Sequence, residues 1–182
     1  MKLSRAAKSF ARCSACTGAM VLFMAPAAHA ATATGTFQVL VEIQKSCSVT
    51  AGAGSNINVG AVASTDTNSA TSNSISVNCT TGTPYFIGLA PSVANGGNNS
   101  GAGSMASTSG GGNTDKVPYQ LRSTAGASGT IWGNTATTST VGNGVAGTGT
   151  GAAQSHTVYA TVASANYAAD SYADTVTVTV NY

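Results

Sequence analysis

Two runs of two-residue alternation, one near each end of the chain, constrain this sequence more than any other feature. At 173–182, Val176, Val178, Val180 and Tyr182 alternate with Thr175, Thr177, Thr179 and Asn181. At 36–44, Phe37, Val39, Val41 and Ile43 recur at the same spacing. This period turns successive side chains to opposite faces of a strand, so each run has one apolar and one mainly polar face. With the chain read as finishing at Tyr182, nothing follows the second run to cover its edge. Two such strands at two loose ends predict a protein that finishes its fold with a neighbour's strand, and so a polymer subunit rather than an enzyme.

The first 30 residues read as a signal peptide. Lys2, Arg5, Lys8 and Arg12 form a basic start, 13–24 contains a mostly apolar stretch, and Ala28-His29-Ala30 places small residues before a cut ahead of Ala31. The apolar stretch is too short to span a bilayer, and no other segment approaches that length. The expectation is export without membrane insertion. No cysteine stands at the cut, so no lipid anchor is expected. Beyond the signal, Lys45, Lys116 and Arg122 face Glu42, Asp66, Asp115, Asp170 and Asp174, a net charge of −2. So few cations cannot neutralise many phosphates, which argues against nucleic acid as a partner. The remaining 152 of the 182 residues suit one domain, rich in Ser, Thr, Ala, Gly and Asn and without long helix-forming runs. The class is all-β.

Cys13 and Cys16 form a C-x-x-C inside the signal, which leaves Cys47 and Cys79 as the pair available in an oxidising space. A disulfide between them is the default. Short strands are expected at 46–50, around Ile57 and Val59, at 72–80, 85–90, 117–123 and 155–163, besides the two alternating runs. Residues 95–113 are nearly all Gly, Ser, Asn, Ala and Thr, with Met105 the one large apolar side chain, and read as a long mobile loop. Six or seven short strands with turn signals between them predict a β-sandwich.

The stretches G-T-F-Q-V-L-V-E-I-Q-K-S-C at 35–47, I-S-V-N-C at 75–79 and Y-A-D-T-V-T-V-T-V-N-Y at 172–182 resemble the spore coat protein U-like domain family. Relatives of that family include the major rod subunits of archaic chaperone–usher pili. The resemblance implies an incomplete immunoglobulin-like sandwich that lacks its last strand and is completed by donor-strand exchange. It divides the chain into a signal peptide (1–30), a donor segment (31–45) and a pilin domain (46–182). Phe37, Val39, Val41 and Ile43 would be the donor side chains, and Val176, Val178, Val180 and Tyr182 would line one wall of the acceptor groove. The implied partners are identical subunits in an open filament, a periplasmic chaperone with a basic anchor for the Tyr182 carboxylate, and an outer-membrane usher. The implied biology is a surface fibre that supports adhesion and biofilm formation. Leu40 departs from the pattern, because a polar residue is expected on its face.

Other readings of the same residues are blander or rival. Gly142 to Gly147 spell G-x-G-x-x-G, but no apolar strand precedes them and Gly/Thr-rich chain follows, so they read as a plain loop. His156 beside Ser155, with Asp170 or Asp174, lacks a nucleophile elbow and reads as a surface strand histidine. Asp170 and Asp174 alone are too few ligands for Ca²⁺, so no metal or other cofactor is expected. Trp132 and the tyrosines read as core filling rather than sugar platforms. The 36–44 run could instead pair inside its own sheet, which would make the protein a self-contained secreted coat or matrix domain. A tip adhesin would need a second, receptor-binding domain, for which the chain has no room.

Overall fold

The structure, a computed structural model, describes residues 30–182, so the expected signal peptide and Cys13 and Cys16 lie outside the described residues. Residues up to Leu40 belong to one unit and Val41–Tyr182 to a second. In the first, residues 30–40 carry no helix or strand, and Phe37, Val39 and Leu40 are each exposed over more than four-fifths of their surface. Among the described residues no helix is long and apolar enough to cross a membrane.

In the second unit, two antiparallel sheets face each other. One has six strands in the order β1 (Cys47–Thr50), β2 (Thr67–Cys79), β7 (Gln154–Ser164), β5 (Lys116–Arg122), β4 (Ala102–Ser107) and β8 (Tyr172–Ala173). The other has three: β6 (Val145–Thr148), β3 (Pro84–Pro91) and β9 (Val176–Asn181). The alternation in the sequence selects the inner faces. Ile75, Val77 and Cys79 of β2, Tyr85, Ile87 and Leu89 of β3, Val117, Tyr119 and Leu121 of β5, and Val158, Ala160 and Val162 of β7 make the core. Trp132 is buried with them, and its indole N–H donates to the Ile87 carbonyl at 2.9 Å. A buried indole needs that partner, so Trp132 is a core residue and not an exposed platform. Cys47 and Cys79 are cross-strand partners in β1 and β2 and are joined by a disulfide.

Three expectations are corrected. Residues 95–113 are not a loose loop, because β4 pairs with β5 from Ala102↔Gln120 to Ala106↔Lys116 and with β8 at Ala106↔Ala173. The small residues there serve close approach. A Cβ on Gly103 would lie 2.7 Å from the Tyr119 ring and 2.6 Å from Pro91, and Met105 packs onto the core. Ile57 and Val59 lie outside any strand. His156 is not a surface residue: it shares the inward face of β7 with Val158 and Ala160 and is half-buried. Its Nε2 lies 2.9 Å from the Tyr85 hydroxyl. Burial, which disfavours the charged ring, lowers its pKa from 6.5.

Candidate strand-acceptor groove

β9 is Val-Thr-Val-Thr-Val-Asn, a β-branched run that suits an extended pleat. It pairs with β3 from Pro91↔Val176 to Phe86↔Asn181. Among the described residues its other edge pairs with nothing. That edge therefore presents a row of free backbone donors and acceptors.

Beside it the sandwich is open. A cavity of about 620 Å³ lies between the sheets, walled by Val176, Val178 and Leu89 on one side. Ile75, Leu121, Val158, Ala160 and Val162 of the larger sheet form the other side. A second cavity of about 630 Å³ continues from it toward Val117, Tyr167 and Ala168. Both are bordered by Ile57, Val59, Met105, Val162 and Tyr172, so they form one apolar trough. Residues 56–59 make its outer lip. They are tied down by Asn73, whose side-chain amide donates to the Gly54 and Asn56 carbonyls at 3.0 and 2.8 Å.

Val176 and Val178 line the trough. Val180 packs on the core beyond it, and Tyr182 is 47 % exposed and outside both cavities. Met105, Tyr119, Tyr172 and the lip residues Ile57 and Val59 are lining residues that sequence reasoning did not assign to the groove. Only the isolated apolar character of Ile57, Val59 and Met105 in polar surroundings could have flagged them.

One end of the trough is braced by carboxylates. The Tyr119 hydroxyl donates to Asp174 at 2.7 Å, and the Asn95 amide donates to the same carboxylate at 2.8 Å. Burial, and then the bond to Asp174 and its charge, push the Tyr119 hydroxyl up. Asp170 accepts from Ser107, Ser109, Asn113 and the Ser171 backbone N–H. Those bonds favour the ionised form and hold its carboxyl well below the usual range. Asp174 thus ties the entry to β9 to β5 and to the turn after β3, and Asp170 ties the chain before β8 to β4 and to the chain before β5. No group of three His, Cys, Asp or Glu side chains gathers in a metal-holding arrangement among the described residues. The G-x-G-x-x-G stretch supplies the turn before β6 and most of that strand. A Cβ on its Gly147 would lie 2.3 Å from the Tyr85 ring, so glycine there serves packing.

The donor-type residues have a different environment. Phe37, Val39, Val41 and Ile43 are 78–88 % exposed, and none lies in a strand. Leu40, the departure from the alternation, is 83 % exposed.

A comparison with proteins of curated function finds no match. Among solved structures, the chain is similar to one in the crystal structure of the CsuC–CsuE chaperone–tip adhesion subunit pre-assembly complex from archaic chaperone–usher Csu pili of Acinetobacter baumannii. The two are 18 % identical with a TM-score of 0.47, over 77 % of this chain and 40 % of that one. This chain thus spans less than half the length of that one. The family comparison is direct: residues 33–179 match the Spore Coat Protein U domain, and the chain belongs to that family.

Proposed function

We propose that this protein is the structural subunit of a chaperone–usher surface fibre, built by inserting residues 36–44 of one copy into the groove of the next. The observation that carries the reading is that, among the described residues, the edge of β9 beside an open apolar trough and the alternating apolar run at 36–44 both pair with nothing. Each is what the other lacks. Burying four large side chains contributes about 6–12 kcal/mol, offset in part by the cost of ordering the segment. A ladder along β9 adds register and about 1 kcal/mol per hydrogen bond.

Donor run and groove are different surfaces of one protein, so the contact is heterologous and propagates as an open filament. The base of the run, at Ser46, is hydrogen-bonded to Thr80. The short link from Cys79 to Pro84 puts that base at the end of the sandwich where β9 finishes, since Phe86 faces Asn181. Head-to-tail growth then requires the inserted run to lie antiparallel to β9, with its own body stacked on the end of the acceptor where β9 begins. A periplasmic chaperone covering the groove before assembly, an outer-membrane usher, and a role in adhesion and biofilm formation complete the reading. A rod position within that fibre belongs to the same reading.

Deletion of 31–44 tests this. The shortened subunit should stay monomeric and should bind a synthetic 31–45 peptide one to one. Fibres formed by the deleted subunit would overturn the reading.

A further inference from the structure

The donor segment does not leave the sandwich through a free linker. Its base is held by two consecutive residues at the end of β2. Cys79 fixes Cys47 covalently. Thr80 fixes the residues just before it: its Oγ1 accepts from the Ser46 backbone N–H at 3.1 Å. The single hydroxyl proton reaches the Gln44 carbonyl at 3.2 Å and the Ser46 carbonyl at 3.4 Å. The sandwich itself does not need this hydroxyl. The pairing of β1 with β2 is already extended by a main-chain bond from Thr80 N–H to the Ser46 carbonyl at 2.9 Å. The corner is also rigid. The Gly149 N–H donates to the Thr83 carbonyl at 2.7 Å and the Gly151 N–H to the Cys79 carbonyl at 3.0 Å. A Cβ on Gly149 would lie 2.3 Å from the Thr80 carbonyl.

From this geometry we infer that Thr80 is a positioning residue for strand exchange: its hydroxyl fixes the direction in which residues 36–44 leave the body and pre-organises them for a second copy's groove. The inference rests on the strand-exchange reading. It adds a residue that lines neither cavity and acts on the donor side alone. A segment fixed at its base loses less freedom on docking.

The test compares full-length wild type, Thr80→Val and Thr80→Ser in two assays. In the first, each labelled full-length subunit is the donor to unlabelled wild type, and the rate of mixed-oligomer formation is followed. In the second, each is the acceptor for a synthetic 31–45 peptide. Loss of the hydroxyl should slow donation by about two- to tenfold, the range that one net hydrogen bond supplies. Peptide capture by the same variant should be unchanged, and Thr80→Ser should restore the donor rate. An unchanged donor rate in Thr80→Val overturns the inference. So does an equal loss in both assays, which would mark a merely structural role. Failure of wild type itself to capture the peptide would instead sink the strand-exchange reading beneath it.

Discussion

Truncating Phe37 to alanine separates a donor side chain from an ordinary surface one. Phe37 is 88 % exposed, so its loss should leave the subunit's own stability within about 0.5 kcal/mol. Seated in an apolar groove, the same ring would lose about 2–3 kcal/mol of burial. At 1.4 kcal/mol per tenfold, that is about 30- to 150-fold in affinity. The assay uses labelled 31–45 peptides, wild type and Phe37→Ala, titrated against the subunit lacking 31–44, with melting curves of the two full-length proteins alongside. The expected result is a large loss of peptide affinity and superimposable melts. Binding within threefold of wild type, or a lowered melting temperature, would refute the reasoning. The second outcome would mean that the ring already packs within its own molecule.

Further predictions concern the sandwich. Replacing Cys47 and Cys79 by serine opens a loop whose ends are 32 residues apart and should cost about 3–4 kcal/mol in urea unfolding, as should reduction of the wild type. Trp132→Phe removes the buried donor to the Ile87 carbonyl and should cost at least about 1–3 kcal/mol by the same measurement. The pKa of His156 is depressed in the fold, so the unfolded chain binds the extra proton first. Stability should therefore fall as pH drops below about 6.5 and through the folded pKa, and His156→Gln should flatten melting temperature between pH 7 and pH 5. Asp170, with its carboxyl depressed, adds stability that is present above the unfolded value of 3.8 and lost only at more acid pH. The two contributions are thus separable.

Much of the sandwich was legible because its strands follow a strict two-residue period. Ile75-Val77-Cys79, Val158-Ala160-Val162 and the Val-Thr repeat of β9 each point inward as the pattern requires. The cysteine pairing followed from there being one pair outside the signal. The pattern fails where backbone rather than side-chain burial holds the chain. Residues 102–107 are small because they lie against Tyr119 and Pro91, and composition alone cannot tell that crowding from disorder. The closing run is likewise divided. Tyr172–Ala173 pair with β4 in one sheet and Val176–Asn181 with β3 in the other, with braced Asp174 at the crossing. One wall of the groove could be read from β9, but the lip at 56–59 could not. Its start is held at Gly54 and Asn56 by Asn73, a distant side chain with no local signature.

The most direct measurement is a structure of assembled subunits that traces the strand beside 176–181. The account predicts residues 36–44 of a different copy, antiparallel to β9, with Phe37, Val39, Val41 and Ile43 turned into the trough. The same molecule's own segment in that place, or an assembly in which this edge stays bare, would contradict it.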